Sequence, residues 1–229
     1  LINNSGGELA LKRPFFAPHH TSSNIALIGG TSKAVPGQVS LASNGVLFLD
    51  EFLEFSRSVL ETLRQPLEDR GVTIARAGKT VSYPAKFMLV AAANPCPCGY
   101  LGDRQKECTC SQAQIQKYRA RLSGPLMDRI DLHVEVLSVD ISGLASMEDG
   151  ETSESIRNRV MKAHEIQKKR FAGTDTLYNS RMTEKEIKIF ARPDSSGQKI
   201  LESAAKKYGM SARAFSKILK TARTIADIE

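Results

Sequence analysis

Apolar residues in the first 137 positions form four short runs, separated by segments with helical periodicity. These runs predict strands over 24–30, 45–51, 87–94 and 131–137. The runs around Leu47 and Val90 are apolar at successive positions, which is typical of a parallel sheet buried on both faces. The alternation of strands with helices predicts an α/β domain built on such a sheet.

Between the second and third runs, the pattern predicts a helix over 55–70 and then a β-hairpin. The apolar residues of this helix recur with helical spacing at Val59, Leu60, Leu63 and Leu67. Pro66 lies within the stretch and should kink or end the helix. The alternating segments 71–76 and 80–85 flank a short turn that contains glycine, and this arrangement predicts the hairpin.

The pattern changes after about Val139, where a polar linker precedes a series of helices. Thr152 or Ser153 can cap the first helix, although no full capping box is present. Its apolar stripe consists of Ile156, Val160, Ala163 and Ile166. The sequence therefore predicts an α/β domain over 1–139 and an all-helical domain over 150–229.

Three further helices are predicted in the second domain. They cover 184–191, 197–208 and 212–228. Thr183 and Ser211 are suitable N-caps, and Gly209 is a suitable C-cap. These end signals support the prediction that the whole of this domain is helical.

The composition of the chain limits its possible binding partners and its cellular compartment. The chain carries 32 Lys and Arg against 25 Asp and Glu, a formal net charge of +7, which permits a polyanionic partner without requiring one. No apolar run approaches the roughly 20 residues of a membrane span, and no signal peptide is visible. We therefore expect a cytoplasmic protein without a membrane partner. The start at Leu1 suggests a fragment.

The second apolar run ends on two adjacent carboxylates, Asp50 and Glu51. Charged groups at the end of a buried strand are uncommon unless they have a partner or a task. A nucleotide hydrolase uses such a pair to hold Mg²⁺ and to polarise the water that attacks the γ-phosphate. The alternative is that both acids cap the following helix at the positive end of its dipole. The eight residues 45–52 do not decide between these interpretations.

A hydrolase also needs a glycine-rich phosphate cradle, and the 229 residues do not contain one. The sequence AGKT at 77–80 has six residues instead of four between Gly71 and Gly78. It also lies in the predicted hairpin rather than at the start of a helix, where backbone amides would face phosphates. The segment 29–33 lacks the required spacing as well.

Two more polar residues occupy positions that suit nucleotide hydrolysis. Asn94 ends the third predicted strand, and the ends of parallel strands meet on the ligand-binding side of a sheet. Arg129 precedes the fourth predicted strand, where an arginine could reach the γ-phosphate of a neighbouring subunit. Taken separately, Asn94 could instead form a turn and Arg129 a surface ion pair.

The four cysteines of the chain form two C-x-C pairs that are separated by nine residues. They are Cys96, Cys98, Cys108 and Cys110. Clustered thiols in a cytoplasmic protein suggest a metal, and four thiolates suit a tetrahedral, structural Zn²⁺ site. The alternative is redox-labile pairs or free thiols. His19 and His20 could also bind metal, although a loop near the nucleotide or a subunit interface is the simpler interpretation.

These motifs together resemble the ComM/YifB group of magnesium-chelatase-like AAA+ ATPases. The resemblance covers about 13–228 and includes RPFFAPHHTSS, PGQVSLASNGVLFLDEF, PAKFMLVAAANPCPCGYLGD and RLSGPLMDRIDLHVEV. It implies an AAA+ core, truncated at its N-terminus, followed by a helical lid. It also implies that the phosphate cradle lies N-terminal to this segment, so that the fragment alone should be inactive. ATP and Mg²⁺ are the implied substrate and cofactor.

The resemblance also assigns roles to individual residues. Asp50 and Glu51 would be the Walker B acids and Asn94 would be sensor 1. Arg129 would be the arginine finger, with Arg121 as the alternative. Sensor 2 would be Arg213, with Arg223 as the alternative.

The resemblance further implies a ring, expected to be a hexamer, that acts on single-stranded or branched DNA. The segments 28–40 and 71–85 resemble hairpins that point into the central channel of related rings. Arg76 and Lys79 could then grip a phosphate backbone. Two alternatives stay open: a chelatase-type motor for Mg²⁺ insertion into a porphyrin, and a non-catalytic module that binds zinc and nucleic acid.

Overall fold

The computed structural model describes residues 12–30, 34–76, 79–136 and 150–229. The chain forms two compact units, Leu1–Ser138 and Val139–Glu229, which we call the sheet unit and the helical unit. Across the described ranges, no helix combines the length and the apolar character needed to cross a bilayer.

The sheet unit contains five strands and six α-helices within its described residues. The strands are β1 (Phe15–Phe16), β2 (Val46–Leu49), β3 (Gly71–Arg76), β4 (Lys79–Pro84) and β5 (Met88–Ala91). The helices are α1 (Asn24–Ile28), α2 (Gln38–Leu41), α3 (Arg57–Thr62), α4 (Arg64–Asp69), α5 (Gln112–Arg119) and α6 (Gly124–Met127). A 3₁₀ helix at Phe52–Glu54 follows β2.

The central sheet is parallel, with the strand order β1-β2-β5, which confirms the predicted α/β core. Leu47 and Leu49 of β2 are fully buried and pack in one cluster with Leu60 of α3. On β5, by contrast, Met88 is 65% exposed and Val90 is 40% exposed. The prediction of a sheet buried on both faces is therefore wrong for the described residues. Apolar composition alone could not reveal that one face is uncovered.

The strand predicted over 24–30 is wrong, because α1 occupies most of this segment. The Ser23 hydroxyl accepts a hydrogen bond from the backbone N–H of Ala26 and thereby caps the helix. Only Leu27 of the five helical residues is buried, while Ile25 is exposed. A short helix with one core contact produces an apolar run that resembles a strand.

The strand predicted over 131–137 is also wrong for 131–136, which have no regular secondary structure; residue 137 lies outside the described ranges. Leu132, Val134 and Val136 alternate as in a strand, yet all three are exposed. No described strand pairs with this segment. A strand needs a hydrogen-bonded neighbour, and alternation does not supply one.

The helix and hairpin predicted between β2 and β5 are confirmed. The helical segment is divided at Leu63, which ends α3 and precedes α4, so the break comes three residues before Pro66. Strands β3 and β4 pair in antiparallel register from Gly71↔Pro84 to Arg76↔Lys79. Earlier in the chain, Gly29 and Pro36 form an isolated antiparallel bridge, and 31–33 lie outside the described residues.

The helical unit consists of four α-helices within its described residues, which confirms a helical C-terminal region. They are α7 (Ser153–Arg170), α8 (Glu184–Phe190), α9 (Ser195–Tyr208) and α10 (Ala212–Ile228). Thr152, Thr183 and Ser211 cap α7, α8 and α10, as predicted. Helix α9 begins two residues before the predicted start, because Asp194 caps it. Gly209 ends α9 in the left-handed conformation.

A polar network connects α7 with α10. Arg170 donates hydrogen bonds to both carboxylate oxygens of Asp227, at 2.5 Å each. Asn179, which is fully buried, donates to Asp227 Oδ2 at 2.7 Å. Of the predicted stripe only Ala163 is buried. The exposed members of that stripe are Ile156, Val160 and Ile166.

Candidate functional site

The carboxyl ends of β2 and β5 lie side by side, and the polar residues that follow them leave the sheet together. The register pairs Leu49 with Ala91, and Ala92 donates its backbone N–H to Leu49 O at 3.0 Å. Phe52 in turn donates to Ala92 O at 2.8 Å. The structure thereby brings Asp50, Glu51 and Asn94 to one edge of the sheet.

The two acids at this edge are exposed and have different surroundings. Asp50 Oδ1 accepts a hydrogen bond from the backbone N–H of Glu51 at 2.9 Å. Glu51 has left-handed backbone angles, with φ 49° and ψ 44°. Side chains with a Cβ seldom adopt this conformation, and such strain clusters at functional sites. The turn directs the Glu51 carboxylate toward His20, whose Nδ1 lies 2.8 Å from Glu51 Oε2.

The contact between His20 and Glu51 was missed by sequence reasoning, which treated both neighbouring histidines as loop residues. His20 reaches the acids because it follows β1, which pairs in parallel with β2. The Phe15–Phe16 pair ahead of the histidines was the available signal. It is only two residues long, so no strand was predicted there.

The two candidates for the arginine finger occupy different places in the sheet unit. Arg129 follows α6 and donates to Glu68 of α4 and to the carbonyl of Pro125. Its side chain is only 12% exposed. Arg121 donates to Leu53 O at 2.6 Å and to Glu54 at 3.1 Å. Arg121 therefore contacts the 3₁₀ helix that begins directly after Glu51, whereas Arg129 is held at α4.

The candidates for sensor 2 both belong to α10 of the helical unit. Arg213 is exposed in the first turn of this helix. Arg223 donates to Asp227 Oδ1 from Nη2 at 2.8 Å and from Nε at 3.1 Å. The guanidinium of Arg223 is therefore engaged within its own unit.

Arg76 and Lys79 form the last residue pair of the β3–β4 ladder. They flank residues 77–78, which lie outside the described ranges. Lys79 and Thr80, the described residues of the AGKT sequence, belong to β4, so they do not open a helix as the end of a phosphate cradle does.

The structure gathers the four cysteines into one cluster. Their Sγ atoms all lie within 4.8 Å of one another. The Sγ atoms of Cys96 and Cys98 are 3.4 Å apart, and Cys108 Sγ is 3.6 Å from each of them. A tetrahedral zinc with Zn–S bonds of about 2.3 Å requires sulfur separations of about 3.8 Å. The cluster fits such an ion, and its spacings are too long for disulfides.

The thiols of the cluster differ in proton affinity. The backbone N–H of Tyr100 lowers the pKa of Cys98 to about 5, so this thiol is ionised at neutral pH. The pKa of Cys108 is raised to about 12, since burial and its thiol neighbours outweigh the opposing backbone N–H of Cys110. A lowered pKa at one thiol favours metal binding, because the metal is bound by the thiolate.

The cysteine cluster is connected to the acidic edge on both of its sides. Cys96 is fully buried and follows Asn94 by two residues. After Cys110, Ser111 starts α5 with a capping box that it forms with Gln114. Arg119 at the end of α5 donates back to Pro95 O at 3.3 Å. The bond from Arg119 thus ties the end of α5 to Pro95, between Asn94 and Cys96.

Comparison with known families identifies the chain. Residues 2–144 match the family described as magnesium chelatase, subunit ChlI, and residues 150–229 match the family described as its C-terminal part. The chain belongs to the magnesium chelatase ChlI family. The resemblance inferred from the sequence is thereby confirmed, including the AAA+-type fold of a parallel-sheet core and a helical region.

Two curated relatives are similar to this chain over nearly its whole length, and a third over less than half of it. The competence protein ComM of Haemophilus influenzae is 46% identical over 220 residues, which are 95% of this chain and 42% of the relative. The uncharacterized protein YifB of Escherichia coli is 41% identical with the same coverage. The chain thus spans less than half the length of these relatives. The DNA replication licensing factor mcm6 of Dictyostelium discoideum is 34% identical over 101 residues, 44% of this chain and 10% of that protein.

Proposed function

We propose that the protein is an ATP-hydrolysing AAA+ ring motor that acts on DNA. The observation that carries this proposal is the shared edge at which Asp50, Glu51 and Asn94 leave two neighbouring parallel strands. Nucleotide-hydrolysing sheets bind their ligand at this edge, beyond the carboxyl ends of the strands. Membership of the ChlI family supports the same chemistry.

Within this site, Asp50 would hold Mg²⁺, directly or through water, because carboxylate oxygens are the ligands this ion prefers. The ion would supply positive charge to offset the charge that develops on the phosphates. Glu51 takes a proton from the attacking water, and Asn94 orients that water through its amide. The exposure of all three side chains suits contact with a diffusible substrate.

The 229 residues contain no phosphate cradle, so we place the cradle in a part of the protein outside them. The relatives are long enough to contain a cradle outside the matched region, since this chain covers 42% of ComM. Under the proposal, these residues supply hydrolysis and sensing groups to a nucleotide whose phosphates are held elsewhere in the protein. The 229 residues alone should then not turn over ATP.

Arg129 is assigned as the finger that reaches the nucleotide of a neighbouring subunit, which requires a ring and most simply a hexamer. In the single chain, its guanidinium donates to Glu68 of α4. Arg213, which is exposed in the first turn of α10, is assigned as sensor 2, as the family resemblance implies.

DNA is proposed as the polymer on which the motor acts. The net charge of +7 and the two basic residues at the end of the β3–β4 hairpin, Arg76 and Lys79, suit a phosphate backbone. The names of two relatives, a competence protein and a DNA replication licensing factor, support a role on DNA.

The cysteine cluster is proposed to hold one structural Zn²⁺. Four sulfur ligands fill a tetrahedral ion, so no position is open for catalysis. The ion would fix the loop after Asn94 and the start of α5. Zinc in this position would therefore support the geometry of the proposed hydrolysis site.

Insertion of Mg²⁺ into a porphyrin is the second candidate, favoured by the family description itself. The two candidates share the ATPase chemistry and differ in the partner. We rank DNA first because ComM matches the chain over 95% of its length.

Steady-state ATP hydrolysis by the full-length protein, with and without forked or four-way-junction DNA, tests the proposal. We expect DNA to stimulate turnover and expect Arg76→Ala with Lys79→Ala to reduce this stimulation. The effect should weaken as salt rises, because phosphate contacts release counterions. ATP hydrolysis that no DNA stimulates would contradict the DNA role, and an absence of hydrolysis would contradict the motor itself.

A further inference from the structure

The position of His20 relative to Glu51 follows from the register of the parallel sheet. Phe16 of β1 pairs with Leu47 of β2. His20 follows Phe16 by four residues, and Glu51 follows Leu47 by four residues. Both residues lie four positions beyond the same paired position, so the two segments stay adjacent. Their side chains meet there, with His20 Nδ1 2.8 Å from Glu51 Oε2.

The direction of this contact is set by the chemistry of the two groups. An ionised carboxylate has no proton to donate, so the ring nitrogen of His20 must donate and Glu51 Oε2 must accept. Only one of the two carboxylate oxygens is used in this contact. The Glu51 side chain remains 52% exposed.

The His20 ring is itself held in place by its surroundings. The ring of His19 lies 4.1 Å away, centroid to centroid, and Phe55 approaches edge-on at 6.4 Å. His19 Nδ1 is 2.9 Å from Thr21 Oγ1, and Ser22 donates its backbone N–H to His19 O at 2.9 Å. The donor that meets Glu51 therefore projects from an ordered turn and not from a loose side chain.

We propose that His20 is a positioning residue, which binds one oxygen of the Glu51 carboxylate and so aims the other oxygen at the attacking water. The proposal rests on the proposed ATPase function. A general base must lie within hydrogen-bond reach of the proton that it removes, and small misplacements greatly slow such steps. The strained turn at Glu51 fixes its backbone, and His20 fixes the end of the side chain.

The test compares two variants of nearly equal shape in the full-length protein, His20→Asn and His20→Leu. The amide nitrogen of Asn can occupy the place of Nδ1 and donate to Glu51, whereas Leu cannot donate. We expect His20→Leu to lower kcat for ATP by about 10- to 100-fold with KM within about two-fold, as lost orientation of a reacting group predicts. His20→Asn should retain most of kcat.

Several outcomes would overturn the role of His20. Wild-type kcat in His20→Leu would do so, as would equal losses in the Asn and Leu variants, or a rise in KM without a change in kcat. If His20→Leu fails to fold, the same comparison is made between His20→Ala and His20→Asn. A wild-type protein without ATP hydrolysis would remove the proposed function itself, so the two failures are distinguishable.

Discussion

Phe52 donates its backbone N–H to the carbonyl oxygen of Ala92 across 2.8 Å, beyond the last paired residues of β2 and β5. This bond keeps the segments that follow β2 and β5 together beyond the end of the sheet. The acids that precede Phe52 and the amide of Asn94, which follows Ala92, are consequently held on one side of the molecule. The proximity of Asp50, Glu51 and Asn94 depends on this short extension of the ladder.

Replacing Arg129 with alanine should abolish ATP hydrolysis by the full-length protein while leaving nucleotide affinity nearly intact. A finger acts on the neighbouring subunit and contributes about 10³-fold or more to the rate. Mixing Arg129→Ala subunits with Glu51→Gln subunits should restore part of the activity, because each supplies the group that the other lacks at a shared interface. Steady-state hydrolysis and equilibrium nucleotide binding measure these effects.

The matched control for this experiment is Arg64→Ala, which removes a partly exposed ion pair with Glu61 at 2.9 Å. Such pairs contribute little, so this variant should keep wild-type turnover. The assignment of Arg129 across an interface fails if the mixture stays inactive, or if Arg129→Ala weakens ATP binding by the isolated subunit.

The cysteine cluster should bind about one zinc per chain when the protein is purified under reducing conditions without chelator. Cys96→Ser and Cys108→Ser should each lose the metal, because a three-thiolate site is open to water. Thr109→Ser, which leaves all four thiols in place, is the control and should retain it. Elemental analysis is the direct measurement, and metal-free wild-type protein would contradict the assignment.

Loss of zinc should also lower ATP hydrolysis in the full-length protein, because the cluster holds the segment that carries Asn94. Arg119 returns to Pro95 O from the far end of α5, so the cluster and the helix brace this segment together. Normal hydrolysis in a metal-free cysteine variant would restrict the ion to a local structural role.

The helical unit should lose stability in acid through Asp227. Burial raises the pKa of this carboxyl, but hydrogen bonds from Arg170, Asn179 and Arg223 outweigh it and lower the pKa to about 2. The ordinary value is 3.8, so the stabilisation is complete above about pH 4 and is lost as pH falls toward 2. The shift corresponds to about 2 kcal/mol of unfolding free energy.

Urea unfolding between pH 2 and pH 6, followed by amide hydrogen exchange in α7 and α10, measures this acid dependence. Asp227→Asn should destabilise the unit at neutral pH and flatten its pH dependence. Asp175→Asn, at an exposed position, is the control and should change neither. An unchanged pH dependence in Asp227→Asn would contradict the role of the network.

Much of the fold could be predicted from local signals. Serine and threonine caps and Gly209 gave the ends of the C-terminal helices, because capping is decided by a few neighbouring atoms. The run Val46–Leu49 gave the central strand, because a strand buried in the core has few polar positions. The four clustered cysteines predicted a common site, and their Sγ atoms do lie within 4.8 Å of one another.

The errors arose where tertiary context decides the structure. Leu132 and Val134 alternate like strand residues, but a strand forms only where a neighbour offers hydrogen bonds. The contact between His20 and Glu51 depends on the register of two strands that are far apart in sequence. The network around Asp227 joins three separate segments, and no local spacing could reveal that Arg170 takes part in it.

The central claim is that Glu51 activates water for ATP hydrolysis, and Glu51→Gln in the full-length protein tests it most directly. The amide preserves the shape of the side chain and removes the base, so ATP binding should persist while kcat falls by about 10²-fold or more. Glu54→Gln, which alters an exposed partner of Arg121 three residues later, should retain turnover. Wild-type turnover in Glu51→Gln would contradict the account.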